Sequence, residues 1–172
     1  GSTPSESPWN SGKSERELTQ MRNSTLDAIV MEAKQKEEQE TISVGTTAAV
    51  TTSETERSES LLPNKSPKEQ YDFAISFMKI GDYETAEFAL KEFIEKNKEH
   101  DLAGNAQYWY GETFRIRQLY SDAATAYLDG YQNYPKSKKA PDNLLRLGIT
   151  MVQLGEKDQG CKMITGVKKE YP

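Results

Sequence analysis

Apolar positions in the second part of the chain recur at helical spacing, and the recurrence comes in three copies. Shifting the sequence by 37 residues places Tyr134-Pro135 on Tyr171-Pro172 and Gly111 on Gly148. Large residues stand three apart around the small one, as in Tyr110-Gly111-x-x-Phe114, which puts them on one face of a helix. A period of this length is typical of arrays of helical hairpins, so the pattern indicates a repeat protein.

The second helix of each copy follows a simpler rule. A small residue is followed four positions later by a large one, as with Ala86 and Leu90 or Ala123 and Tyr127. The start of the first helix is also marked, because Ser66-Pro67-Lys68-Glu69 supplies an N-cap serine, a first-turn proline and the glutamate of a capping box. Each copy therefore reads as two helices.

Prolines mark where the second helices should end. Pro135 and Pro172 stand at equivalent positions, and proline cannot continue a helix. The sequence therefore predicts an all-α fold, a right-handed superhelical array of about three helical hairpins. The repeats are expected at 67–100, 101–137 and 138–172.

Composition separates this array from the residues before it. Trp9 is the only aromatic residue ahead of Tyr71, and residues 1–66 are rich in Ser, Thr and Glu. Such a segment cannot bury enough apolar surface to offset the entropy of ordering. We therefore expect a flexible tail and linker with a helix near 14–40, followed by a folded domain over 67–172.

Charge and residue content exclude several classes of function. The net charge is −5, and the part from residue 67 onward is nearly neutral, which argues against binding nucleic acid. His100 and Cys161 are the only histidine and cysteine, so no ordinary structural zinc site is expected, and Cys161 should be a small buried residue. No apolar run reaches membrane-spanning length. With no phosphate-cradling loop or nucleophile elbow either, we expect a protein that is not an enzyme and holds no cofactor or metal.

The two-helix pattern resembles the tetratricopeptide repeat, whose fingerprint combines large and small residues with a closing proline. The usual period is about 34 residues, so each copy here is longer, most simply in the turn between repeats. Repeats of this kind bind partners in a concave groove lined by their first helices. The predicted groove residues are the inward columns of those helices: Tyr71, Ile75, Met78, Asn105, Tyr108, Glu112, Arg115, Leu145 and Ile149.

Three consecutive aromatic residues divide between core and groove in this alignment. Tyr110 occupies a core column, whereas Tyr108 lies on the groove side, where truncation to alanine should leave stability nearly unchanged. Trp109 has no packing role common to all repeats, so it either fills a gap between repeats or stands beside the groove. Glu112 is either a groove contact or a partner for Arg115, three residues on.

A closer resemblance covers residues 67–172. The stretch at 102–112, LAGNAQYWYGE, resembles the signature of the bacterial Tol–Pal accessory family YbgF/CpoB, as do YPKS at 134–137 and KAPD at 139–142. Members are exported to the periplasm, form trimers through an N-terminal coiled coil and bind TolA through the repeat domain. The resemblance implies a periplasmic scaffold without enzymatic activity, which helps coordinate outer-membrane constriction with peptidoglycan synthesis in cell division. It also implies homo-oligomers formed through the N-terminal region, and no insertion into the membrane.

Two other functions fit the same pattern. A generic tetratricopeptide adaptor or co-chaperone would bind a peptide segment, and the mixed apolar and aromatic groove suits an amphipathic or extended peptide better than an acidic tail. An assembly subunit would instead stack through its repeat ends. At the end of the array, Met163, Ile164 and Val167 form an apolar stripe, which we expect the N-terminal tail or a neighbouring molecule to cover.

Overall fold

A computed structural model describes residues 15–44 and 59–172, with side chains in the first range described for 23–40. The predicted tail and linker at 1–14 and 45–58 lie outside the described residues. Within the described ranges the chain forms seven helices and no strand: α1 Glu15–Val44, α2 Pro67–Lys79, α3 Tyr83–Lys96, α4 Ala103–Ile116, α5 Tyr120–Asn133, α6 Ala140–Gln153 and α7 Lys157–Glu170. From α2 onward each helix packs against the next, so the all-α array of tetratricopeptide type is confirmed.

The six helices after α1 form three hairpins that keep the period of the sequence. The second and third hairpins begin at Ala103 and Ala140, and their second helices begin at Tyr120 and Lys157, so both spacings are 37 residues. α5 ends just before Tyr134 and Pro135, where the proline predicted an end. The capping box predicted at the start of α2 is also present.

The turn inside each hairpin requires one residue with a left-handed backbone. Gly81, Gln118 and Gly155 occupy this position in the three copies, with φ of 77°, 62° and 90°. A left-handed backbone costs a residue with a side chain about 1–2 kcal/mol. Gln118 therefore carries a strain that its two glycine counterparts avoid.

The turns between hairpins repeat one ladder of backbone hydrogen bonds. In the first turn, Asn97 N–H donates to Phe93 O at 2.9 Å, His100 N–H to Asn97 O at 3.1 Å, and Ala103 N–H to His100 O at 2.9 Å. The turn at 134–140 makes the equivalent three bonds at 3.1, 3.1 and 3.0 Å. The same three backbone bonds therefore close both turns, and the first of them is accepted in each case by a carbonyl of the preceding helix.

The packed unit begins before residue 67, where the sequence placed the boundary. Leu62 is buried in the same hydrophobic cluster as the core residues of the first hairpin. The Glu92 carboxylate accepts the backbone N–H groups of Leu61 and Leu62 at 2.8 and 3.2 Å. Residues 59–66 thus lie against the end of the array, which corrects their assignment to a flexible linker.

The helix α1 runs antiparallel to α5 across the second helices of the last two hairpins. Near the end of α5, the Gln132 side chain donates to the carbonyl of Asn23 at 3.2 Å. Further along α1, Lys36 lies 3.6 Å from Glu156, just before the start of α7. The sequence predicted a helix near 14–40 and named the N-terminal tail as one cover for the end of the array, but it gave no sign of the path along α5.

An apolar stripe of α1 covers part of the end of the array. Met163 is buried in one cluster with this stripe, and Val167 packs against the same cluster. Ile164 lies instead against Gly148 in its own hairpin. Cys161, which was expected to be buried, is exposed on α7. The buried residues of the stripe are Leu26, Val30 and Ala33.

Candidate functional site

The first helices of the three hairpins form a continuous inner surface, because α4 packs against both α2 and α6. Two of the predicted groove residues, Tyr108 and Glu112, are buried, with exposed fractions of 7% and 4%. Their binding role, like that of the others, stays a prediction. The remaining predicted groove residues are half-buried: Tyr71, Ile75, Met78, Asn105, Arg115, Leu145 and Ile149.

Tyr108 is held inside the structure by residues from the neighbouring repeat. Lys139 Nζ lies 4.6 Å from the centre of its ring, the Tyr127 ring packs at 6.2 Å, and Arg146 hydrogen-bonds its side chain. Removing a buried aromatic ring costs about 3–5 kcal/mol. The expectation that Tyr108→Ala would leave stability nearly unchanged is therefore corrected, because the side chain is too buried.

Trp109 fills the gap between the first two repeats. It packs against both hydrophobic clusters of the array, as does Tyr110. Its side chain also hydrogen-bonds the hydroxyl of Tyr71, which Asn105 contacts as well. Burial raises the pKa of Tyr110 to about 12, in keeping with its predicted place in the core. Of the two alternatives for Trp109, the structure supports the packing role.

Glu112 is the centre of a hydrogen-bonded cluster at the middle of the inner surface. Its Oε2 accepts Arg115 Nη2 at 2.6 Å and its Oε1 accepts Arg115 Nε at 3.1 Å, while Arg146 Nε forms an ion pair with Oε1 at 3.2 Å. The hydroxyl of Tyr127 donates to the same Oε1 at 2.5 Å. The predicted pairing with Arg115 is thus present, and it joins two repeats through a second arginine.

The electrostatics of this cluster fix the protonation of its members. Burial alone would raise the pKa of Glu112, but hydrogen bonds from Arg115 and Tyr127 outweigh burial and lower it. Burial and the bond to Glu112 raise the pKa of the Tyr127 hydroxyl. The carboxylate stays ionised and the phenol stays protonated at neutral pH, so this cluster is built to hold charge in place rather than to transfer protons.

A glycine brings the phenol to the carboxylate. A Cβ atom on Gly111 would lie 2.5 Å from Cε1 of Tyr127, so any side chain at this position would displace the ring. The close approach of α4 and α5 lets the Tyr127 hydroxyl reach Glu112, the next residue on α4. The glycine in the repeat fingerprint therefore also positions the inner cluster.

Three members of the cluster were not predicted from the sequence. Tyr127 was correctly placed in a core column by its ring, which gave no sign of a partner for its hydroxyl. Arg146 and Lys139 belong to the following repeat, and only packing brings them to Glu112 and Tyr108. A signal was present in the lone acid of an otherwise apolar column, because a buried carboxylate requires a cationic partner.

A second concavity lies between the two turns that join the three hairpins. This cleft has a volume of about 770 Å³, and its lining includes His100, Asp129, Tyr134 and Lys136, which carry charges of both signs. In the described part of the chain, no group of His, Cys, Asp and Glu is placed to hold a metal ion. Among the described helices, none has the length and apolar character needed to cross a membrane.

Comparison with protein families agrees with this architecture. A tetratricopeptide repeat is found at residues 142–172, which correspond to the third hairpin from early in α6 to beyond the end of α7. No curated protein gives a significant match to the chain. The match supports the class of non-enzymatic protein-binding modules for the array.

Proposed function

We propose that this chain is a protein-interaction module that binds a segment of another protein along its inner groove. The observation that carries the proposal is the surface of α2, α4 and α6, where half-buried apolar residues flank the cluster around Glu112. Ile75 lies on one side of this cluster in the alignment of repeats, and Ile149 on the other. Such a surface suits an extended or amphipathic segment, which would bury apolar side chains and satisfy a few polar groups.

The resemblance to the YbgF/CpoB family narrows this proposal. The module acts in the periplasm as part of the Tol–Pal division machinery, where it binds TolA. Through that contact it helps coordinate outer-membrane constriction with peptidoglycan synthesis. The support is the resembling stretch at 102–112, because it lies on α4, the helix that carries the centre of the groove.

Calorimetric titration of the chain with the periplasmic part of TolA tests both the binding role of the groove and the identity of the partner. The variant Ile149→Arg places a large charge in the groove and should weaken binding at least about tenfold, a change of about 1.4 kcal/mol. Thr125→Arg is the matched control, since Thr125 is exposed on α5, outside the groove. If both variants bind TolA as tightly as the unchanged chain, the groove is excluded as the binding site.

Other results separate the alternative functions. A chain that ignores TolA but binds another peptide in an Ile149-dependent way is a generic adaptor. A chain that binds no peptide and self-associates regardless of Ile149→Arg is a stacking assembly subunit. Melting temperatures of both variants confirm that the array is still folded.

A further inference from the structure

Two arginines share a single carboxylate at the centre of the groove. Glu112 accepts hydrogen bonds from Arg115 and forms an ion pair with Arg146, and its side chain is only 5% exposed, so it lies beneath them. The nearby Lys139 has its own acid, Asp142, with an N–O distance of 3.4 Å. The five groups together carry one positive charge in excess, although the whole chain is acidic.

The excess charge is accessible from the groove. The side chains of Arg115 and Arg146 keep 28% and 34% of their surface exposed. A guanidinium carries five N–H donors in a plane that matches a carboxylate; Glu112 takes Nε and Nη2 of Arg115 and faces Nε of Arg146, so it engages only some of the donors of each. Two partly engaged guanidiniums held by one buried anion form a preorganised site for a second carboxylate.

We infer that the Arg115–Arg146 pair binds the side-chain carboxylate of an aspartate or glutamate within the partner's segment, an inference that rests on the proposed function of the groove. A single carboxylate matches the single excess charge, whereas a phosphate group would bring nearly twice as much. Apolar positions lie on both sides of the pair, at Ile75 and Ile149, so the surface suits a chain that passes through rather than one that ends there. The partner segment should therefore carry one acid flanked by apolar residues.

A selection of random displayed peptides on the full chain provides the probe. The best binder is synthesised with its acidic residue and with the matching amide, Glu→Gln or Asp→Asn. The acidic peptide should bind the unchanged chain about tenfold more tightly than the amide peptide, as expected for a charge-assisted hydrogen bond. On the variant Arg146→Gln the two peptides should bind equally, because one fork is gone while Arg115 still pairs Glu112.

A control variant separates this site from a general loss of charge. Arg117→Gln removes an arginine at the C-terminal end of α4, where Arg117 pairs Glu87 at 2.8 Å instead of Glu112. This variant should keep the full preference for the acidic peptide. Melting temperatures of both variants show whether the array is intact. A preference that persists in Arg146→Gln would overturn the inference.

The remaining outcomes of the peptide experiment also decide whether the inference and the proposed function hold. Peptides that bind through the groove without any acid would overturn the inference and leave the proposed function standing. Loss of binding on amidation of the peptide's C-terminus would show that a chain end, and not a side chain, supplies the carboxylate. If no peptide binds, or if Ile149→Arg binds the selected peptides unchanged, the proposed function fails together with the inference.

Discussion

The inner and outer faces of the array are stabilised by different forces. On the inner face, opposite charges attract, because Glu112 is buried under two arginines. On the outer face, α1 brings acids towards acids: after burial, the charge of Asp27 raises the pKa of Asp129. Burial and then Asp122 raise the pKa of Glu37 in the same way. The outer contact therefore forms against repulsion at these acids, and its attraction comes chiefly from the apolar stripe, with the Lys36–Glu156 ion pair and the Gln132 hydrogen bond beside it.

This difference shows which contacts belong to the fold and which are added to it. The inner cluster includes Tyr127, a fully buried core residue, so its charges cannot separate without disturbing the hairpins. The outer helix touches the array through one stripe of small and medium side chains, with a cavity of about 430 Å³ remaining beside Leu26 and Ile29. Loss of the inner contact should unfold the array, and loss of the outer contact should release only α1.

The largest effect is expected from Glu112→Gln. The amide leaves Arg115 and Arg146 without a counter-charge, so unfolding by urea should show a loss of about 3 kcal/mol. Glu87→Gln is the control, because Glu87 pairs Arg117 at 2.8 Å but its side chain is more exposed than that of Glu112, at 19% against 5%. That control should lose no more than about 1 kcal/mol. Equal losses in the two variants would show that the inner cluster is no stronger than a surface ion pair.

The next effect tests the outer face through Val30→Asp. Val30 is only 5% exposed, so a charge there should cost about 2 kcal/mol of the contact between α1 and α5. Amide exchange should show α1 unprotected while the melting temperature of the array stays the same. Met31→Asp is the control, since Met31 is 62% exposed and should leave α1 protected. Cooperative unfolding of the array in Val30→Asp would contradict the distinction between the two faces.

A smaller effect follows from pH, and its sign differs between the faces. The pKa of Glu112 is lowered in the folded chain, so its contribution is complete above the ordinary value of 4.5 and disappears as pH falls further. The pKa values of Asp129 and Glu37 are raised, so the folded state takes up protons first and the α1 contact strengthens as pH falls. Lowering the pH from neutral to about 5 should tighten α1 and leave the inner cluster unchanged.

Amide exchange, corrected for its intrinsic pH dependence, measures the two faces in one experiment. In Asp129→Asn the repulsion from Asp27 is absent at every pH, so the tightening of α1 should be reduced. An α1 that loosens as pH falls would show that acid repulsion does not oppose the outer contact.

The smallest effect should change the stability of the whole array, and so of both faces together. Gln118→Gly removes the side chain from a left-handed position with φ of 62°, in the turn that joins α4 to α5. Relief of strain exceeds the greater entropy of glycine in the unfolded chain, so stability should rise by about 0.5–1 kcal/mol. The reverse change, Gly155→Gln, should lower the melting temperature. No change in either variant would mean that the turn carries no strain.

The sequence predicted the hairpins well because their signals are local. The spacing of large and small residues and the capping box at Ser66 depend on neighbours within one or two turns of helix. The burial of Tyr108 could not be read in this way, since Lys139 and Arg146 reach it from the next repeat. The stripe on α7 predicted that the N-terminal tail or a neighbouring molecule would cover the end of the array, but the path of α1 along α5 was missed, as residues such as Gln132 and Glu156 are far along the chain from it.

The beginning of the packed unit was also misplaced because local sequence signals do not reveal contacts between distant residues. Leu61 and Leu62 stand in a stretch of mostly polar residues, and two adjacent leucines give no periodic signal. Its burial depends on the end of the first hairpin, where Glu92 accepts the backbone of the incoming chain. Contacts of this kind become predictable only after the helices have been placed.

The matching turns between hairpins make the 37-residue period a unit of recombination. Because the turns at 97–103 and 134–140 close the same hydrogen bonds, a duplication or deletion that joins one to the other keeps those bonds. A gain or loss of one whole period would also keep every following helix facing the same way. Any other length would rotate the helices beyond it and turn their apolar columns towards solvent. An array of this design can lengthen its groove only in fixed steps, each adding one inner helix.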